Sequence, residues 1–355
     1  MVDFEEKIPN FRILPLVQPN PDGHEIDIQK IKMELRGGLS DCPAEDRCMA
    51  WLSVFGVFPK NPNEWPLIRA QILSLYDILI KEYGVENWLT VIMKKNTRKA
   101  DINLPYSSVM ALIHTDIIRT GRHIFFFPPD PVLVENDTDE CLYAFHSTIR
   151  KLERILYVFA RANENYGYMQ GFNELVAPIL YVITKAKRLF DGNELECEAI
   201  TFYLFQNLLT TTSISEYYDT RDKSSQLEQR LEVFHTLFNR LCPKLCSLFD
   251  SLGLDPFIYA FRWFNLIFAQ EHDLPSLLFL WDNCFSRLEH LSDYILYVAV
   301  AHIEEVSSRF TRLEFSVIVE VLQNMQEPNV FNILKEANRL WEIDAKFRNS
   351  KKKKK

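Results

Sequence analysis

Ile113-His-Thr-Asp116-Ile-Ile-Arg119-Thr120 and Asn163-Glu-Asn-Tyr-Gly167-Tyr168-Met-Gln170-Gly171-Phe-Asn173-Glu174 are the two stretches around which the chain is organised. Each closes an apolar segment with helical spacing and sets one polar side chain, Arg119 or Gln170, close to a glycine. The chain has only ten glycines, and Gly121, Gly167 and Gly171 fall here. Glycine admits positive φ and close backbone approach. Its concentration in a glycine-poor chain marks a place where something docks.

The flanking segments read as helices. Ser107–Thr120 puts Asp116 and Arg119, three apart, on one face. Thr138 or Asp139 caps a long helix to about Arg161, with Leu142, Phe145, Ile149, Leu152, Leu156 and Phe159 inward. Phe172–Lys185 is apolar nearly all round, which predicts burial at the centre of the fold. Between Glu64 and Tyr83, the 3-4-3-4 spacing of Trp65, Ile68, Ile72, Leu75 and Leu79 predicts one buried helix face. Ile26–Leu35 reads as a helix stopped by Gly37-Gly38. Asp41-Cys-Pro43, an N-cap at Asp41 followed by proline in the first turn, opens the helix that carries Arg47 and Trp51. From Leu195 to Phe347 the chain is a succession of amphipathic helices. Almost no segment alternates like a strand, and no repeat of solenoid period occurs. The predicted fold is all-α.

Composition narrows the function. Hydrophobic residues make up 47% and charged residues 25%, as in an ordinary globular protein. The acidic start, Met1-Val-Asp-Phe-Glu-Glu, has no apolar signal core. The longest apolar runs, Leu175–Ile183 and Tyr294–Ala301, fall short of the roughly 18 residues of a membrane span. Seven cysteines, scattered without a CxxC pair, point to a reducing cytoplasmic compartment with free thiols. Net charge is −8; setting aside Lys351–Lys355 leaves 35 basic against 48 acidic residues, or −13. An acidic body argues against a nucleic-acid partner. The lysine tail is either a solvated end or a place of transient contact with an anionic membrane surface.

Self-contained catalysis finds no support. There is no GxxxxGK[ST] phosphate loop, GxSxG elbow or HExxH helix. His114 with Asp116, and His272 with Asp273, resemble metal pairs but lack i, i+4 spacing. Cys242 and Cys246 share a helix face, yet two thiols alone make a poor zinc site. No metal is expected. What remains is one arginine and one carboxamide. An arginine can neutralise charge that develops on a transferring phosphoryl group, and a glutamine can accept from an attacking water while donating to the phosphate. The plain alternatives are a surface ion pair for Asp116 and Arg119 and a helix cap for Gln170.

At these residues the chain resembles the TBC-domain family, the GTPase-activating proteins of Rab GTPases. Arg47-Cys-Met-Ala-Trp51 is similar to the family's RxxxW motif, Ile113–Thr120 to IxxDxxRT and Tyr168-Met-Gln170 to YxQ within GYxQGxNE. Phe261-Arg-Trp263, Glu271 and Trp281-Asp282 resemble its C-terminal pattern. The likeness runs from about Gly38 to Ala337.

The resemblance implies two helical subdomains forming a V, with the catalytic residues in the groove. The implied division is an extension with one helix (1–36), an N-terminal subdomain carrying both finger motifs (37–205), a C-terminal helical subdomain (206–345) and a basic tail (346–355). Arg119 would be an arginine finger. Gln170 would be a glutamine finger that displaces the GTPase's own switch glutamine. Asp116 would orient Arg119, with Thr120, Tyr168, Gly171 and Asn173 in support. Arg47, Trp51, Trp263 and Trp281 would be structural.

The implied partner is a GTP-bound Rab-family GTPase that carries GTP and Mg2+ itself. The chain then needs no cofactor, is no enzyme in its own right, and works in vesicle trafficking, cytoplasmic or peripheral at endomembranes. A non-catalytic Rab-binding scaffold of the same fold is the alternative. The chain departs from the family where Gly121-Arg122-His123 follows Thr120, which makes Arg122 a rival finger. It departs also at Glu164 and Gln270. The basic loop Lys94–Lys99 would add positive potential beside the groove.

Overall fold

Asp27 accepts hydrogen bonds from the N–H groups of Gln29 and Lys30 and so starts α1 (Ile28–Gly37). A computed structural model of the chain describes residues 9–19, 21–92, 98–99, 102–104, 106–131, 144–212, 214, 223–325 and 328–345, without the side chains of 223–227. All regular structure among the described residues is helical. None of these helices is long and apolar enough to cross a membrane. The expected caps at Thr138 or Asp139, most of the basic loop and the lysine tail lie outside the described residues, as does Cys141. The six described cysteines carry no disulfide.

The chain divides into two compact units, Met1–Leu208 and Leu209–Lys355. In the first, α1 is followed by α2 (Ala44–Val54), α3 (Trp65–Glu82), α4 (Ser107–Thr120), α5 (His146–Ala162), α6 (Phe172–Lys185) and most of α7 (Glu194–Thr211). The central pair is α5 and α6, against which α2, α3 and α4 pack. The run from Phe172 to Leu180 is buried without a break, because α6 packs against α2, α4 and α5.

Two local expectations need correction. Asp41 does not cap α2: Pro43 occupies that position, and the Asp41 carboxylate takes Arg12 Nη2 at 2.5 Å. Its neighbour Asp46, 0% exposed, instead accepts the backbone N–H groups of Arg12, Ile13 and Leu14 and moors the N-terminal segment to α2. On α3 the buried residues are Ile72, Tyr76 and Ile80, while Leu75 is exposed. The tyrosine, with its apolar ring against Phe202 at 5.4 Å, takes the core position that the spacing assigned to leucine.

The polar residues of α5 are not a solvated face. Arg154 forks onto Glu198 at 2.9 and 2.7 Å, with both side chains buried. Glu153, wholly buried, holds Arg150, His114 at 2.7 Å and the indole N–H of Trp88 at 2.9 Å. Burial alone would raise the pKa of Glu153, but the charge of Arg150 and the bond to His114 outweigh it and lower it to about 2. His114 therefore ties α4 to α5 and is not half of a metal pair with Asp116.

The second unit contains α8 (Lys223–Leu241), α9 (Pro243–Ser251), the short α10 (Pro256–Tyr259) and α11 (Phe261–Asn265), α12 (Leu274–Phe285), α13 (Leu291–Ser307), α14 (Phe315–Gln323) and α15 (Val330–Ile343). Its centre is α13, flanked by α8, α12 and α15. Asp273 caps α12 through the N–H of Ser276. His272 turns inward and meets His302, Nε2 to Nε2 at 2.8 Å, with the His302 ring stacked on Phe268 at 4.4 Å. Burial lowers the pKa of His272 to about 4 and drives that of His302 well below its ordinary value, with the charge of His272 adding to the effect.

Glu153→Gln leaves Arg150 buried without its counter-charge and should cost about 3–5 kcal/mol in urea unfolding at neutral pH. In the wild type this contribution is full above pH 4.5 and is lost as pH falls toward about 2, because the unfolded carboxylate binds its proton first. The variant should therefore show a flatter acid limb.

The histidine pair acts higher on the scale. Its contribution is present above pH 6.5 and falls away toward about 4, where only the unfolded chain protonates readily. His302→Gln, which keeps an amide hydrogen-bonding group but cannot titrate, should reduce the loss of thermal stability over that interval. An unchanged slope would contradict the assignment.

Candidate functional site

The last turn of α4 carries Asp116, Arg119 and Thr120, and Gly121 ends it. A Cβ on Gly121 would lie 2.8 Å from both the Ile117 carbonyl oxygen and Ile124 Cδ1, so the close approach itself requires glycine. Across from this turn the segment 163–171 leads from α5 into α6. Gly171, at the cap of α6, has φ 99°, a left-handed conformation that favours glycine.

Asp116 joins the two segments. Its carboxylate is 2% exposed. Oδ1 accepts from Arg119 Nη2 at 2.8 Å. Oδ2 accepts from the Tyr168 hydroxyl at 2.8 Å and the Gly171 N–H at 3.3 Å. Tyr168 and Gly171 bracket Gln170, so one carboxylate positions both polar residues singled out in the sequence. Burial, and then the charge of Asp116, push the Tyr168 phenol far above its ordinary pKa and keep it a donor.

A second link runs parallel to the first. Thr120 Oγ1 donates to the Asp116 carbonyl at 2.6 Å and accepts from Asn173 Nδ2 at 2.6 Å. Asn173 is buried on the first turn of α6, so the ends of α4 and α6 are stitched at two points. Beneath them Tyr168 meets Phe172 edge-on at 6.1 Å, and Phe172 rests on Phe159 and Phe205 at 5.8 and 5.3 Å. The polar layer thus sits on an aromatic floor.

The two proposed actors differ from their supports in exposure. The Arg119 side chain is 57% exposed, and Gln170 is exposed. Among the described residues Gln170 has no hydrogen-bond partner, and Arg119 commits one N–H to Asp116. A guanidinium has five donors, so most of this one is available to a ligand. Arg122 is also exposed, just past the helix end.

The sequence reading overlooked one buried pair beside this site. His123 Nε2 lies 3.5 Å from Glu174 Oε2, with side-chain exposures of 1% and 3%. The pair lines a small pocket with Thr120, Gly121, Arg122 and Asn173. His123 stands where the chain departs from the family pattern and Glu174 where it follows it, so neither alone signals the pairing.

Of the expected structural residues, the three tryptophans are core residues. Trp51 on α2 and Trp263 and Trp281 in the second unit are each 0% exposed, whereas Arg47 is half-buried. The Trp281 indole donates to the Ile267 carbonyl at 2.9 Å. Arg262 forks onto Glu271 at 2.7 and 3.1 Å. Those contacts account for the C-terminal pattern within its own unit.

TBC1 domain family member 13 of Homo sapiens is 27% identical over 192 residues, which is 53% of this chain and 46% of that protein. The GTPase-activating protein gyp1 of Schizosaccharomyces pombe is 27% identical over 197 residues, 52% of this chain and 38% of that one. The chain thus spans no more than about half the length of these curated relatives. The crystal structure of the Ypt/Rab-GAP domain of Gyp1p superposes with a TM-score of 0.72 at 20% identity, over 93% of this chain and 96% of that one, and so shares its fold. The family model described as the Rab-GTPase-TBC domain matches residues 65–310. Because that match takes in well over half of the sequence, the chain belongs to the Rab-GTPase-TBC domain family.

Proposed function

We propose that this chain accelerates GTP hydrolysis on a Rab-family GTPase, supplying Arg119 and Gln170 to the partner's active site. The observation that carries the reading is the shared carboxylate: Asp116 holds the Arg119 guanidinium on one oxygen and the residues bracketing Gln170 on the other. Family membership supports it, as does the naming of the relative gyp1 as a GTPase-activating protein.

Phosphoryl transfer spreads negative charge over the equatorial and leaving oxygens, and it is accelerated chiefly by positioning and electrostatics. Arg119, already aligned by Asp116, loses little rotamer freedom on docking and presents its free donors to that charge. The Gln170 carboxamide takes over the orientation of the attacking water, replacing the partner's own glutamine. GTP and Mg2+ arrive with the GTPase. Thr120 and Asn173 fix the spacing of the two fingers, and Asp116 is a positioning residue that touches neither nucleotide nor water. A peripheral role at endomembranes, with the lysine tail resting on anionic lipid, follows from this reading.

Single-turnover GTP hydrolysis by a panel of Rab proteins tests it. Wild type should stimulate one or a few of them. Arg119→Ala and Gln170→Ala should each lose about a hundredfold or more, at least about 3 kcal/mol of activation. Arg119→Lys should recover little, since the planar fork is gone. Nucleotide-dependent binding without stimulation by wild type would make the chain a scaffold. Arg122→Ala with a collapse that Arg119→Ala lacks would transfer the finger to Arg122.

Asp116→Asn separates positioning from contact. It should lower kcat by about tenfold or more while leaving KM for the GTP-loaded partner nearly unchanged, because the interface keeps its shape and only the alignment of Arg119 is weakened. A change confined to KM would place Asp116 at the interface instead.

A further inference from the structure

The second unit contains a group of side chains that plays no part in the proposed GTPase chemistry. Helices α8 and α9 are joined by the single residue Cys242, whose N–H bonds to the Phe238 carbonyl at 2.7 Å and whose carbonyl accepts from the Cys246 N–H at 3.0 Å. This tight corner folds α9 back beside α8. It brings His235 of α8 against Cys246 and Asp250, which sit i, i+4 on α9.

Each of the three offers one ligand atom, and these atoms all lie within 4.8 Å of one another. His235 Nε2 is 2.8 Å from Asp250 Oδ1 and 3.5 Å from Cys246 Sγ, and the sulfur is 3.9 Å from Asp250 Oδ2. A tetrahedral zinc with its usual bond lengths sets such ligand atoms about 3.3 to 3.5 Å apart. The two separations from Nε2 fall within about 0.5 Å of that figure, while the 3.9 Å sulfur contact is to the other carboxylate oxygen, Oδ2.

Two other readings of the cluster fail on its geometry. In a cysteine–histidine–aspartate nucleophile relay the two ring nitrogens serve different partners, one facing the nucleophile and the other the carboxylate. Here the thiol and the carboxylate converge on the same nitrogen, Nε2. An ordinary histidine–aspartate ion pair accounts for the 2.8 Å contact and a thiol donating to the Asp250 carboxylate for the 3.9 Å one, but neither brings the sulfur to His235 Nε2.

We propose that His235, Cys246 and Asp250 are ligands of a zinc ion that clamps α8 to α9, with water in the fourth position. Nitrogen, sulfur and oxygen together suit zinc and disfavour magnesium or calcium. The His235 and Asp250 side chains are 40% and 52% exposed, so the cluster opens to solvent on the side away from the buried Cys246. On binding, the thiol proton passes to solvent and the sulfur–metal bond takes its place, and the dication makes favourable the carboxylate–thiolate proximity that is otherwise repulsive. The proposal departs from the sequence expectation of no metal. Cys242, which the sequence pairs with Cys246, turns instead to Glu304, Sγ to Oε1 at 3.1 Å, and it is His235 that completes the site.

The test uses the reduced, metal-stripped full chain titrated with cobalt(II). One equivalent should produce a near-ultraviolet thiolate-to-cobalt charge-transfer band with tetrahedral visible absorption, and zinc should displace both. Cys246→Ser should abolish the charge-transfer band, whereas Cys42→Ser, at the half-buried cysteine, should keep it. His235→Gln and Asp250→Asn alter partly exposed side chains and should fold normally by circular dichroism, yet bind zinc at least about tenfold more weakly. Zinc should also raise the Tm of the wild type and not that of these two variants. Absence of the charge-transfer band, its persistence in Cys246→Ser, or unaltered zinc affinity in both His235→Gln and Asp250→Asn would overturn the proposal.

Discussion

A carboxylate removed from water must be matched by donors close at hand, or it costs several kcal/mol. Asp116 meets that demand with one guanidinium, one phenol and one backbone N–H, drawn from two segments some fifty positions apart. The last turn of α4 and the entry to α6 are therefore held together by one charge, and the exposed Arg119 and Gln170 stand on either side of it. Exposure of the two ends and burial of their common anchor are complementary. The anchor removes freedom that docking would otherwise have to remove, and the ends remain accessible.

The same device recurs deeper in the first unit. Glu153 gathers Arg150, His114 and Trp88, and Glu198 takes Arg154. Charged residues on α5 that would serve a surface helix as its solvated face are here internal braces. His114 stands two residues before Asp116 on α4, so the brace at Glu153 also fixes the helix on which the site is built. In the second unit Arg262 and Glu271 form a comparable fork, and the Trp281 indole holds the Ile267 carbonyl at a turn where Ile267 and Phe268 both have positive φ. The aromatic and charged residues of the C-terminal pattern are thus explained by folding alone.

Helical character, the extent of α6 and the two segments around Arg119 and Gln170 were legible in the order of residues, because local periodicity and the glycine turns depend on near neighbours. The range Phe172–Lys185 expected from its uninterrupted apolar run is the range of the helix. The α3 stripe was misjudged by one position, since spacing cannot say whether a tyrosine or a leucine meets the core when both are largely apolar. Asp41 was misread as a cap because the corrected partner, Arg12, lies 29 residues away.

By itself the sequence determined what each segment can become and which functional groups it offers. Helix propensity, patterning and the functional groups of arginine and glutamine are properties of short stretches. Only the tertiary structure decided which polar groups share a partner. Asp116 is joined to Tyr168 rather than to His114, and Cys246 to His235 rather than to Cys242. The reason is physical: desolvation makes every buried charge and donor seek a partner within about 3 Å, and the packing of whole helices determines which one is in reach.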